Sequence, residues 1–483
     1  MHHQKLEDYR SNKLDEMTFS EMQEEMQTGK ISSEELVLMY KENISLRDKN
    51  LNALLEINPD ALQIAQSLDF ERQRKGPRGP LHGIPVVVKD NVETADKMHT
   101  TAGSLALENH YALNDAHLIE KLRKAGAVIL GKTNMTEWAN FMSDKMTNGY
   151  SSRGGQVNNP YGALDVGGSS SGSAAAVAAN LAAAAIGTET AGSIINPAVQ
   201  NSLVGLKPTV GMVSRRGIIP LSHTQDTAGP LARTVEDAVK FFAVLIGFDP
   251  EDPITRLSID FEGYDWSVHL KSDGLKNVRL AVTPELFKEI SDEQLELFEQ
   301  AKKQLMECGA EIIEDVDLGS SQEDLGFAVL LHEFKADLNA YLAKTAPSNP
   351  IRSLDDVIAF NNANSSKMLK FGHNLLEQAN QLTGMLTERE YVEALERNRF
   401  LAAEQGINAT LKEIGADAII LPQDFGCNVG AAAGFPAITV PFGFNEKSEP
   451  FGITFSGMAF SEPKLIEYAY AFEQAVKGRR NPY

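Results

Sequence analysis

The chain has 483 residues, 42% of them hydrophobic and 23% charged, a composition that supports a large packed core and excludes a disordered polymer. Its formal net charge of −21 excludes a broad phosphate-binding surface, because neutralising a nucleic-acid backbone takes clustered Lys and Arg. Cys308 and Cys427 have no paired spacing for a disulfide framework, zinc or an iron–sulfur cluster, and read as two buried thiols in a reducing compartment.

The opening "MHHQKLEDYRSNKLDEM" is charged and lacks the apolar core of a signal peptide. The longest apolar run contains Asn180 and is shorter than the ~20 residues of a membrane span. A soluble, cytoplasmic protein is therefore expected, with no membrane and no nucleic-acid partner. Residues 1–80 read as helices packed on the same body as the rest. Ser32 and Ser33 can cap a run through Met39 and Tyr40, and Asn58 can cap a helix with Pro59 at its first position.

After "RKGPRGPLHGIP" the pattern changes. "VVVKD" is a short buried-strand pattern, a helix follows around Ala116–Lys124, "AVILGK" is another strand, and "TNMTEWANF" opens a further helix. Alternation continues through "VRLAV", a helix from Asp292 to Met306, "AEIIEDV", a helix-rich insertion from about Asp324 to Lys412, the strands "DAIILP" and "AITVPFG", and a C-terminal helix around Pro463–Val476. Strands separated by helices imply an α/β fold, a mixed, largely parallel sheet covered on both faces. No repeat or linker divides residues 81–483, so one domain is expected.

The stretch "GGSSSGS", Gly167 to Ser173, has the composition of a flexible linker. It runs, however, into "AAAVAANLAAAAI", the most helical and apolar segment of the chain. A phosphate-cradling loop would need a Lys after the glycines, where Ala174 stands. A nucleophile elbow fits the letters "GSSSG" only weakly. A second turn, "GTETAGSI", sets Ser193 after two small residues, where backbone N–H groups can converge into an oxyanion hole. A serine there needs a base. His82, His99, His110, His117 and His223 are scattered and offer no obvious partner, whereas Lys89 directly follows three valines on a buried-strand pattern, where desolvation would favour its neutral form.

Taken together, "GPLHGIPVVVKDNV", "GAVILGKTNMTEWANF", "GGSSSGSAAAVAANLAAAAIGTETAGSI", "VGLKPTVGMVSRRGIIPLSHTQDTAGPLARTVEDA" and "AAAGFPAITVPFG" resemble the amidase signature family of serine hydrolases, from about Leu81 to Gly443. Within it, "GTETAGSI" and "LLHEFKADLNAYL" look most similar to the bacterial peptide amidases. The resemblance implies a Ser–Ser–Lys triad: Ser193 as nucleophile, Ser169, preceded by a cis peptide bond, as the bridging serine, and Lys89 as base. It further implies an oxyanion hole from the N–H groups around Thr190, Ala191, Gly192 and Ser193. No cofactor or metal is called for. Ser170 is a candidate to orient Lys89, with capping of the following helix as the equal alternative.

Glu189 stands where the family commonly has Asp, Ala191 where it has Gly, and Ile195 where it has Arg. Losing that Arg weakens a reading as the glutamine-hydrolysing subunit of a tRNA-dependent amidotransferase. The expectation is hydrolysis of a primary carboxamide on a peptide C-terminus or a related acyl amide, without an obligate protein partner. The helices between Asp324 and Lys412 either shape the substrate pocket or simply pack.

Overall fold

A computed structural model describes residues 2–319 and 325–483, with backbone alone for residues 2, 3 and 5. Asp324, the expected start of the helix-rich insertion, lies outside the described residues. The strands, in chain order, are β1 (Leu54–Ile57), β2 (Pro85–Lys89), β3 (Val128–Thr133), β4 (Tyr150–Ser151), β5 (Gly155–Gln156), β6 (Ala184–Glu189), β7 (Val204–Lys207), β8 (Thr227–Ala232), β9 (Arg279–Val282), β10 (Glu311–Ile313), β11 (Ala418–Pro422), β12 (Ala437–Phe444) and β13 (Pro450–Ser456). β4 and β5 form a small hairpin; the others make one mixed sheet in the order β1-β3-β2-β6-β8-β7-β12-β13-β11-β9-β10. Parallel pairing gathers in two runs, β3-β2-β6 and β11-β9-β10. Antiparallel strands join them through β8, β7, β12 and β13.

Every residue of β2, β3, β6, β7, β8, β11 and β13 is buried, so the sheet is covered on both faces. That is why these strands read as continuous apolar runs rather than alternating ones. Helices Ser33–Leu51, Ala61–Lys75, Ser171–Ala178, Val235–Leu245, Asp292–Glu307 and Glu462–Val476 supply the cover. Phe19, Met22, Leu36 and Tyr40 from the first eighty residues sit in the same apolar cluster as Val86, Val87 and Val88.

Local rules account for several boundaries. Ser32 and Glu35 form a reciprocal capping box at the start of Ser33–Leu51. The helix after Asn58 begins later than its cap-like residues suggest, at Ala61. Asn58 is drawn off to hold the turn and the sheet together: Oδ1 accepts from Asp60 N at 3.0 Å and Nδ2 donates to Ile129 O at 2.9 Å. The first eighty residues also contribute the edge strand β1, antiparallel to β3, which four residues are too few to announce.

The alanine-rich run divides. It is helical only to Ala178, turns at Asn180 with φ +57°, and enters β6 at Ala184. Arginines collect the carbonyls freed there: Arg479 donates to Ala178 O at 3.0 Å, Arg47 to Ala179 O at 2.9 Å and Arg233 to Ala182 O at 2.9 Å. Propensity favours helix throughout; three long-range cations and a buried sheet position decide otherwise.

"TNMTEWANF" departs from the expected helix as well. Glu137–Asn140 is a single tight turn in which Trp138, Ala139 and Asn140 have φ of 51°, 56° and 68°. Thr136, the cap-like residue, instead receives Gly149 N on its hydroxyl at 2.8 Å and donates its own N–H to Ser169 O at 3.1 Å. Trp138 and Phe141 are thereby turned into a second apolar cluster with Phe334, Leu338 and Leu354 of the insertion. Cys427 is buried, but Cys308 is only half-buried, because it follows the last turn of a surface helix. Among the described residues no helix is long and apolar enough to cross a membrane.

The Gly167–Ser173 stretch is fully buried, which rules out a linker. A Cβ on Gly172 would lie 2.3 Å from Asn134 O and 2.4 Å from Ala53 O, both backbone atoms that cannot swing aside. Gly172→Ala is expected to lower unfolding stability by about 1–3 kcal/mol; an unchanged urea midpoint would contradict this packing.

Candidate active site

Lys89 is the last residue of β2, and its side chain is fully buried where β2 meets β6. Its Nζ lies 2.9 Å from each of Ser169 Oγ, Ser170 Oγ and Thr188 Oγ1, and 3.1 Å from Thr188 O. Burial pushes its pKa down to about 7, against the upward pull of the Glu189 and Asp226 carboxylates. The amine is thus close to half neutral at physiological pH, with the surrounding hydroxyls and the Thr188 carbonyl fixing its direction.

Ser169 and Ser170 occupy the loop entering the Ser171–Ala178 helix, and the Gly168–Ser169 peptide bond is cis. Neighbours hold this loop from every side. Asn196 Oδ1 accepts from Gly168 N at 2.8 Å, and Ser173 Oγ donates to Ile186 O at 2.9 Å. Ser170 precedes the helix without capping it, since its side chain makes no cap hydrogen bond. Its hydroxyl faces Lys89 Nζ, Thr188 O and Ser193 O. Gly187 makes room for it: a Cβ there would lie 3.0 Å from Ser170 Oγ.

Ser193 closes the turn between β6 and the Ile195–Gln200 helix, and joins the group through its carbonyl, which also accepts from Ser170 N at 3.3 Å. It keeps 8% exposure, whereas Lys89, Ser169 and Ser170 have none. Among the described residues nothing accepts a hydrogen bond from the N–H of Ala191, Gly192 or Ser193. Gly192 takes φ +82°, a conformation open to glycine, and Ala191 is half-buried. The turn therefore presents uncommitted donors beside the one hydroxyl of the group that reaches the surface.

The supporting roles of several side chains escape a reading of the sequence. Thr188 grips Lys89 and itself accepts from Asn91 Nδ2 at 3.0 Å. The buried carboxylate of Glu189 accepts from Ile194 N at 2.7 Å and Ile195 N at 3.0 Å, pinning the far end of the Ser193 turn. Thr190, at its near end, donates through Oγ1 to Asp226 at 2.6 Å and accepts on its carbonyl from Gln225 Nε2 at 3.2 Å. "GTET" and "TQDT" carry these residues, but a polar residue beside a glycine turn is too common a pattern to single out.

The five histidines weighed as bases each have another partner. His82 meets Leu68 O, His99 Glu56, His110 Tyr341, His117 Asp249 and His223 Asp337. His223, Glu333 and Asp337 bring three potential metal-ligating atoms within 4.8 Å of one another. Hydrogen bonds already occupy this set: Glu333 Oε1 accepts from Tyr391 OH at 2.8 Å, its Oε2 from Thr224 Oγ1 at 2.9 Å, and Asp337 from His223 Nδ1 at 2.9 Å. It is a clamp rather than a vacant coordination sphere.

A cleft of about 210 Å³ lies between Gln225 and Phe435, with Val329, Leu395 and Arg399 of the insertion on its wall. The insertion helices thus line this cleft in addition to packing the second apolar cluster.

The Amidase family profile matches residues 35–466 of this chain. The chain is 41% identical over 482 residues to a probable amidase of Arabidopsis thaliana, covering 97% of this chain and 92% of the relative. It is 33% identical over 487 residues to a glutamyl-tRNA(Gln) amidotransferase subunit of Pseudomonas savastanoi pv. phaseolicola, covering 96% and 98%. Among solved structures it superposes on the native peptide amidase of Stenotrophomonas maltophilia with a TM-score of 0.91 at 42% identity, covering 98% of this chain and 99% of that one.

Proposed function

The chain belongs to the amidase family and is a hydrolase of carbon–nitrogen bonds, and from that premise we propose that it hydrolyses primary carboxamides at peptide C-termini, or related acyl amides, through Ser193, Ser169 and Lys89. The observation that carries this reading is the neutral-prone amine of Lys89, 2.9 Å from Ser169 Oγ in a buried pocket.

The chemistry follows from the groups. Neutral Lys89 accepts the Ser169 hydroxyl proton while Ser169 takes that of Ser193, whose Oγ attacks the amide carbon. The carbonyl oxygen gains the charge and is met by the N–H groups of the 190–193 turn. As the C–N bond breaks, the relay returns the proton to the leaving nitrogen, which departs as ammonia. Water then attacks the acyl-enzyme, giving its proton to the same relay and releasing the acid.

The peptide substrate class is supported by the likeness to the Stenotrophomonas maltophilia enzyme over nearly the whole of both chains. Ile195, fully buried, supports free hydrolysis over ammonia transfer to a partner. The test is a mass-spectrometric screen of peptide C-terminal amides, free glutamine, fatty acyl amides and aryl acylamides. Conversion of the peptide amide to its acid, a gain of about one dalton from exchange of NH2 for OH, is the expected result. Hydrolysis of glutamine alone, and only with a copurifying partner, would establish the amidotransferase reading instead.

A further inference from the structure

The motif "LLHEFKADLNAYL" in the helix Ala328–Ala343 has no role in the chemistry above, yet two of its side chains reach toward it. Glu333 and Asp337 stand four residues apart, on one face of the helix. Glu333 is fully buried and receives four hydrogen bonds: from Ser222 Oγ, from Thr224 Oγ1 at 2.9 Å, from Thr224 N at 3.2 Å and from Tyr391 OH at 2.8 Å. Asp337 receives His223 N at 2.8 Å and His223 Nδ1 at 2.9 Å. Three consecutive residues are thus gripped by one helix.

The same segment holds the candidate oxyanion turn from its other side. Asp226 Oδ2 accepts from Leu221 N at 2.7 Å and Ser222 N at 2.9 Å, and its Oδ1 accepts from Thr190 Oγ1. Gln225 takes the Thr190 carbonyl. A continuous path of hydrogen bonds runs from the insertion helix through residues 221–226 to Thr190, three residues before Ser193. Docking the helix does not require it, because Leu330, Phe334, Leu338 and Leu342 already bury an apolar face there. Burying a carboxylate costs free energy that an apolar side chain would not, while directional bonds set position more sharply than apolar packing does.

We propose that Glu333 and Asp337 are positioning residues for the oxyanion turn, setting the 221–226 segment that in turn sets Thr190, without touching substrate. The proposal rests on the assignment of Ser193 and the 190–193 turn to the chemistry. A displacement of the donors weakens their hold on the transition state more than their hold on the ground-state amide, so the loss falls on kcat.

The test uses the full-length protein with Glu333→Gln and Asp337→Asn, a peptide amide substrate, and a peptide aldehyde whose carbonyl carbon bonds Ser193 Oγ and places its oxygen in the same turn. For each variant, kcat per folded molecule is expected to fall about 10- to 100-fold with KM within about twofold, and the aldehyde inhibition constant to rise by the same factor. Wild-type kcat and aldehyde affinity in both variants would overturn the proposal. So would a loss of activity that merely tracks loss of folded protein by circular dichroism, with aldehyde affinity unchanged. If Glu333→Gln does not fold, Asp337→Asn alone carries the decision, since its partner His223 is half-exposed. Ser193→Ala, assayed in parallel, separates the failures. Turnover there at about one-hundredth of the wild-type rate or more sinks the triad, whereas a Ser193→Ala loss of the expected size beside unaffected Glu333→Gln and Asp337→Asn sinks only the positioning role.

Discussion

Ser193→Ala is expected to lower kcat/KM on a peptide amide by on the order of 10,000-fold or more, because removing the proposed nucleophile leaves only binding and the candidate oxyanion donors. The same variant should unfold within about 0.5 kcal/mol of the wild type. The reason is local: among the described residues Ser193 Oγ makes no hydrogen bond, and its structural ties run through the carbonyl that Ser170 contacts. Activity and stability therefore separate. A Ser193→Ala protein that still turns over at even one-hundredth of the wild-type rate would sink the assignment, and one that fails to fold would show that the hydroxyl carries structure instead.

Lys89→Met is expected to reduce kcat/KM on the order of 1,000-fold or more, and the same role sets the pH dependence expected of the wild type. As the proposed base, Lys89 can act only when unprotonated, and burial brings its pKa down to about 7. Activity should rise through a half-maximum near pH 7 and level off above it. A plateau already reached well below neutrality would rule Lys89 out as the base.

The same shift has a sign for stability. The folded pKa lies below the unfolded value, so between about pH 7 and 10 the unfolded chain holds the extra proton and stability rises with pH. Below pH 7 the full cost of burying an amine that water would protonate is present. The unfolding free energy of wild type minus that of Lys89→Met should climb across that window. A flat difference would mean that Lys89 is not desolvated as the geometry requires.

Where the chain can be read from letters alone, the cause is local and strong. Three valines before Lys89 announce a buried strand end, Ser32 and Ser33 announce a helix start, and the density of glycines and serines at 167–173 and 187–193 announces two turns. The expected helix over "TNMTEWANF" and the expected unbroken helix over "AAAVAANLAAAAI" fail for one reason. Intrinsic preference is worth only about a few tenths of a kcal/mol per residue, and partners far along the chain overrule it. Those partners are Gly149, Ala102 and Ser169 around Thr136–Trp138, and Arg47, Arg233 and Arg479 around Ala178–Ala182.

Serine, glycine and lysine types at their spacings, and the alternation of strand with helix, were determined by the sequence itself, because short-range sterics and the burial of apolar runs need no distant partner. Only the tertiary structure decided that Thr188 joins the hydroxyls around Lys89, that Glu189 and Asp226 hold the two ends of the turn, and that Glu333 and Asp337, more than a hundred positions away, reach the segment holding Thr190. Hydrogen bonds act over about 3 Å in space and are indifferent to separation along the chain. A buried polar side chain is recognisable in sequence by type, but its partner is chosen by the fold.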